Sequence, residues 1–290
     1  MPGTFRDSWK LTKTSFRMIR EDRALLVFPV VVGLSILGVI ALLLVGEYAL
    51  LVALAGARGG PTNGLVAAAV ALFLVAYFAM VFLSVYGTAA LIAAATLKLN
   101  GRQPTAADGW RVARARIGRL LLWALITATV GLVIQAISSR VRGVGGVVIG
   151  AVGGATWAVV TYFVVPVLLY ENERTWASLK RSVHLFTSTF GRSLVSNLVV
   201  ALLLGAGIVV AVVLGLAGLL LAVHGGLLLG FALVGVAIAV GVGVALIGAA
   251  AEGILRAALY RYATTGKIDP DLMPAGYGAA TPLAPNAPLP

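Results

Sequence analysis

Residues 175–223 read TWASLKRSVHLFTSTFGRSLVSNLVVALLLGAGIVVAVVLGLAGLLLAV, and the character of the chain changes at Arg192. Before it, aromatic and basic residues recur at helical spacing. After it, no Asp, Glu, Lys or Arg occurs through Val223. Such a run exceeds the roughly 20 residues a helix needs to cross a bilayer. The basic, aromatic helix in front of it suits a membrane surface. How often this junction recurs decides the fold.

The chain has 290 residues, 60% of them hydrophobic and 11% charged, with a mean hydropathy of +1.03. These values belong to the membrane class. Uncharged stretches define six spans, at about 24–52, 65–95, 120–139, 144–169, 194–222 and 228–251. The first, second and fifth are longer than one crossing and must tilt, kink or protrude. Pro29 and Pro166, each near one end of a span, are the expected breakers. Six basic residues precede the first run, as in a signal peptide, but that run is too long for an h-region and lacks a cleavage site. The reading is therefore an all-α polytopic membrane domain over residues 1–267. The Pro- and Ala-rich residues 268–290 form a tail expected to be disordered.

Lys and Arg number 22 against 10 Asp and Glu. On one folded surface that excess would suggest nucleic acid. Here the bases lie in short islands between apolar runs, which speaks for membrane orientation and against a nucleic-acid partner. The N-terminal arm holds Arg6, Lys10, Lys13, Arg17, Arg20 and Arg23. The second connection holds Lys98, Arg102, Arg111, Arg114, Arg116 and Arg119, and the fourth Arg174, Lys180, Arg181 and Arg192. With Arg256, Arg261 and Lys267, 19 of the 22 fall on one side, against Arg58, Arg140 and Arg142 on the other. The positive-inside bias puts both termini in the cytoplasm. The preference for Arg, Ala, Gly, Val and Leu suggests a prokaryotic cytoplasmic membrane. The outward connections ARGGPTNG, SSRVRG and VHGG are too short to hold a domain.

Aligned on tryptophan, the islands DSWKLTKTSFRMIR, DGWRVARARIGRLL and RTWASLKRSVHLFT form a weak threefold repeat. Trp9, Trp110 and Trp176 are each followed at the fourth residue by a base (Lys13, Arg114, Lys180) and at the seventh by an apolar residue (Phe16, Ile117, Val183). Each island leads into a pair of spans. In the first, Phe5, Trp9, Phe16 and Ile19 make an apolar stripe beside a basic one; in the third, the stripe is Trp176, Leu179, Val183, Phe186 and Phe190. Such helices are expected in the interface on the cytoplasmic face, apolar side in the acyl boundary. Each base contributes about 1 kcal/mol against an anionic leaflet. The expected lipid-facing residues are Trp9, Lys10, Lys13, Arg17, Trp110, Arg111, Arg114, Trp176, Lys180 and Arg181, acting as an orientation anchor or gripping a specific headgroup or soluble partner. In the second island Thr105 and Asp108 have the spacing of a short capping box.

The chain offers little chemistry. It has no cysteine, its two histidines (His184 and His224) fall on opposite sides of the membrane, and HExxH, GxSxG and Walker motifs do not occur. The reading is a non-enzyme with no cofactor or metal. Glu47 is placed near the outer surface, and Glu252 has Arg256 at salt-bridge spacing. Gln135 and Asn197 read as glue between helices. Under a transporter or channel reading, Glu47, Gln135, Asn197 and Glu252 line the polar path. Gly146, Gly150 and Gly154, and Gly226 with Gly230, make faces for close helix packing within one subunit or across a homo-oligomer.

FRDSWKLTKTSFRMIREDRALLVFP at the N-terminus, ENERTWASLKRSVHLFTSTFG in the fourth connection and ILRAALYRYATTGKID at the last exit together resemble a bacterial and archaeal family of six-span proteins known only as a domain of unknown function. That family is similar to the membrane portion attached to some glycerophosphodiester phosphodiesterases. The resemblance covers residues 5 to about 270, and its most distinctive piece is Ala257 to Ala263 followed by Thr265 and Gly266. It implies a topology and transfers no catalytic residue, since no cytoplasmic segment is long enough for a catalytic barrel. The function expected is non-catalytic: membrane organisation, lipid interaction or scaffolding of a membrane complex.

Overall fold

The structure, a computed structural model, describes residues 24–56, 63–171, 174–190, 194–224 and 226–265. They form helices α1 (Ala24–Gly56), α2 (Asn63–Leu99), α3 (Ala106–Ala115), α4 (Ile117–Arg140), α5 (Val144–Val160), α6 (Val164–Tyr170), α7 (Thr175–Phe190), α8 (Leu194–Val223) and α9 (Leu227–Thr265). Among the described residues, six segments are long and apolar enough to cross a membrane: Ala24–Ala55, Asn63–Leu99, Ile117–Arg140, Val144–Tyr170, Gly205–Val223 and Leu227–Thr265. Helices suit such segments because hydrocarbon offers no partner to an open backbone group. Their surfaces are correspondingly apolar: Leu42, Val45, Val147, Leu220 and Leu228 are all exposed. The first island and the tail, residues 268–290, lie outside the described residues.

The last helix differs most from its expected span. The charge at Glu252 marks the expected end, yet α9 continues to Thr265. Glu252 and Arg256 form the i,i+4 ion pair that their spacing suggests. The pair sits on the helix surface and leaves the backbone ladder unbroken. At about 1.5 Å per residue, α9 extends well past the hydrocarbon core.

The chain divides into two compact units, one of Met1–Pro29, Ala94–Pro104 and Leu185–Pro290, the other of Val30–Ala93 and Thr105–His184. In the first, α8 and α9 form a hairpin whose crossing needs glycine. A Cβ on Gly218 would lie 2.8 Å from the Gly230 carbonyl oxygen, and one on Gly230 would lie 2.6 Å from the Gly218 carbonyl oxygen. A substitution at either position therefore pushes backbone against backbone. In the same unit α2 ends in a Schellman motif. Gly101, at φ 77°, donates its N–H to Lys98 O at 2.9 Å, and Arg102 donates to Leu97 O at 3.2 Å. The carbonyl of Leu99 remains, and the Arg261 guanidinium donates to it. Tyr260, Tyr262 and Ala263 around that arginine are buried.

In the second unit the fourth span is broken. α5 ends at Val160, residues 161–163 turn, and α6 restarts at Val164. Pro166 causes this without being the break itself. It lacks the N–H that would bond Tyr162 O, and its ring would crowd that carbonyl in a continuous helix. In the first turn of α6 it is tolerated, because N–H groups there have no intrahelical acceptor. The interruption opens backbone groups amid buried apolar residues, Phe163 to Leu169. Ser182 on α7 closes it. Its hydroxyl accepts from Phe163 N–H at 3.0 Å and donates to Val160 O at 2.8 Å. Thr161 Oγ1 donates to Trp157 O at 2.7 Å.

Replacing Ser182 with alanine takes the hydroxyl from the buried Phe163 N–H and the part-buried Val160 carbonyl, a loss of about 1–3 kcal/mol for a buried group. A thermal-unfolding midpoint for Ser182→Ala well below that of the parent in the same detergent is the expected outcome. An unchanged midpoint contradicts the splint.

Candidate functional site

The second island builds a groove of about 550 Å³ within the second unit. Val31, Val32 and Ser35 of α1 and Leu83 and Tyr86 of α2 form its walls, and Ala107, Trp110, Arg111 and Arg114 of α3 complete it. Its volume falls in the range of small-molecule sites. Ser35, the polar residue of the walls, donates its hydroxyl to Val31 O at 2.8 Å. That hydroxyl is spent on its own helix, and the walls behave as apolar. The close contact of Gly87 with Val32, whose Cγ2 would lie 2.0 Å from an added Cβ, brings α1 and α2 together behind them.

Short-range signals hold α3 at the groove. Thr105 and Asp108 form the expected capping box: Asp108 N donates to Thr105 Oγ1 at 3.3 Å, and Thr105 N donates to Asp108 Oδ2 at 2.9 Å. Trp110 lies against Tyr86, ring centroids 5.1 Å apart, and Tyr86 stacks on Phe82 at 5.6 Å. Such ring pairs add about 0.5–1.5 kcal/mol each beyond their burial. The basic end is exposed. Arg111 pairs with Asp108, while Arg114, one turn on, has no ion pair among the described residues. Apolar walls ending in guanidinium groups have the form of an anionic amphiphile's complement.

The third island differs from its sequence reading. Its buried side is mixed: Ser178 and Ser182 are 0% exposed and Arg181 4%, and Leu185 and Phe186, the latter expected on the stripe in the acyl boundary, are buried with them. Arg181 was expected at the headgroups with Lys180; instead its Nε lies 3.3 Å from Glu171 Oε2, and Glu171 is itself buried. Arg119 of α4 donates to the Glu171 carbonyl at 3.4 Å. The face that carries Ser178, Arg181 and Ser182 is the docking face. Trp176 is 64% exposed, and Lys180 is exposed. The two islands also differ in form, since α7 is one helix whereas the second island breaks at Arg116 (φ −116°, ψ 16°) into α3 and α4. Trp9, Lys10, Lys13 and Arg17 lie outside the described residues.

Gln135 is exposed and Glu47 half-buried, while Glu252 is exposed and paired with Arg256. The side chain of Asn197 is not among those described. Three of the five glycines act within a hairpin. Gly146 abuts the Ser138 and Val141 carbonyls, Gly226 serves the turn before α9, and Gly230 crosses Gly218. Gly150 is in ordinary contact with Ser138 Cβ at 3.5 Å, and Gly154 faces open space. Among the described residues no three His, Cys, Asp or Glu gather as metal ligands.

Residues 65–269 match the model of a family described as a family of unknown function, DUF6159. No curated protein matches the chain, and no solved structure does.

The buried Glu171–Arg181 pair yields a test by double-mutant cycle. Glu171→Leu or Arg181→Met alone breaks a buried ion pair and is expected to lower stability by about 3–5 kcal/mol, whereas the double variant recovers most of the loss. Additive losses in chemical denaturation contradict the pairing.

Proposed function

The chain belongs to DUF6159, a family of unknown function, and we propose that it is a non-catalytic membrane protein that binds anionic phospholipid at its basic islands and thereby organises the membrane around it or scaffolds a membrane complex. The groove at the second island carries this reading, because its apolar walls end at Trp110, Arg111 and Arg114. Acyl chain lies along Val31, Val32 and Leu83, and phosphate meets the arginines, where guanidinium donors are matched to phosphate oxygens. Nineteen of 22 basic residues lie on the island side by sequence, so the leaflet concerned is the inner leaflet of a cytoplasmic membrane, with both termini cytoplasmic.

The three Trp-led islands act as repeats of one device, a helix at the interface ahead of a transmembrane hairpin. On α7, with the face of Ser178, Arg181 and Ser182 docked, Trp176, Lys180 and Val183 are left for the interface. The open face of α5 around Gly154 leaves room for a second copy of the chain, the self-association a scaffold needs.

The test is lipid retention. Protein carrying Arg111→Glu with Arg114→Glu is expected to copurify with about tenfold less phosphatidylglycerol than the parent from the same membranes, with phosphatidylcholine unchanged. Equal phosphatidylglycerol in folded parent and variant overturns the reading.

A further inference from the structure

We infer that Asp108 sets the charge of the headgroup the groove accepts, matching it to lipids that carry one negative charge; this rests on the lipid reading proposed above. Both carboxylate oxygens of Asp108 are engaged. Oδ2 accepts from Thr105 N–H at 2.9 Å and from Thr105 Oγ at 2.7 Å, and Oδ1 pairs with the Arg111 guanidinium. The Asp108 side chain is 26% exposed and that of Arg111 76%, so the carboxylate is the better shielded partner and the capping box fixes its position. Arg111 is thus tied to a fixed negative charge on its own helix.

Arg114, three residues on and therefore on the same side of the helix, has no such partner among the described residues. The three side chains leave the groove one net positive charge, centred on Arg114. A phosphodiester headgroup with one negative charge is matched by a bidentate contact to that guanidinium. A phosphomonoester, whose second ionisation falls near pH 6 as in other phosphate monoesters, brings added charge that meets Asp108 and finds no further cation among the described residues lining the groove. Losing water without a partner is unfavourable for a charge, so phosphatidic acid gains nothing over phosphatidylglycerol. Asp108 would then do two jobs, starting α3 and setting headgroup selectivity, which a helix cap alone does not require.

The test titrates the full-length protein in mild detergent with phosphatidylglycerol, phosphatidic acid or phosphatidylcholine and counts bound lipid by native mass spectrometry. The parent is expected to bind phosphatidylglycerol at least as tightly as phosphatidic acid, and both above phosphatidylcholine. Asp108→Asn keeps a carbonyl oxygen for the cap and frees Arg111, and is expected to shift the preference about tenfold toward phosphatidic acid. Two further variants separate the arginines: Arg114→Gln is expected to lose most phosphatidylglycerol binding, whereas Arg111→Gln combined with Asp108→Asn, which removes the ion pair and keeps the net charge at one, is expected to lose less than about threefold. Phosphatidic acid preferred by the parent, an unchanged ratio in folded Asp108→Asn, or equal losses in the two arginine variants overturns the inference and leaves the lipid reading standing. No preference of the parent for either anionic lipid over phosphatidylcholine overturns the lipid reading itself.

Discussion

A helix broken amid apolar surroundings must have its open backbone groups met by protein, because hydrocarbon cannot meet them. At the interruption between Val160 and Val164 that requirement falls on Ser182, which accepts from one side of the break and donates to the other. The rest of the third island follows. With Ser182 at the break, the side of α7 that carries Ser178 and Arg181 must also face inward, and an inward arginine needs a carboxylate. Glu171, just after α6, supplies it. The helix that looks most like a free basic patch is fixed to the protein through Arg181 and Ser182, with Leu185 and Phe186 buried beside them, and leaves Trp176 exposed.

The second island reaches a related outcome by other means. There the helix is short, set by the capping box of Thr105 and Asp108 and held by the Phe82, Tyr86 and Trp110 rings. Its bases stay outside, at the end of an apolar groove. Both islands dock a helix beside spans and present a mixed aromatic and basic surface. In one the arginine is a structural counter-ion, in the other a candidate ligand for phosphate. Counting basic residues cannot separate these roles, since Arg181 and Arg114 differ only in which way each helix is turned.

Much of the fold was legible in the residues because lipid simplifies the code. The absence of charge over some 20 residues marks a span, and all six appear with shifted ends. The shift at α9 arises because Glu252 neutralises Arg256 on the surface and the helix runs on. Local signals were equally readable: the capping box, the Glu252–Arg256 spacing and the packing role of Gly230. What escaped was set by contacts distant in sequence. Gly218 carries no mark of its own until Gly230 is laid across it. Arg261 caps a carbonyl 162 residues away, which gives a physical reason for the distinctive Leu259 to Ala263 stretch that no local pattern supplies. Ser182 looks like one more polar residue on an amphipathic helix. Of the groove, Trp110, Arg111 and Arg114 were legible as one island, and its apolar walls were not, since Val31, Val32 and Leu83 read only as parts of spans.

The central claim is that the groove beside Trp110 holds the chain of an anionic phospholipid. Brominated lipids quench a tryptophan that their chains touch, so a variant with Trp110 as its sole tryptophan reports on that groove directly. In bilayers containing brominated phosphatidylglycerol its fluorescence is expected to fall well below the level found with the same fraction of brominated phosphatidylcholine, and the difference is expected to vanish on adding Arg114→Glu. Equal quenching by the two lipids in the unaltered groove would contradict the account.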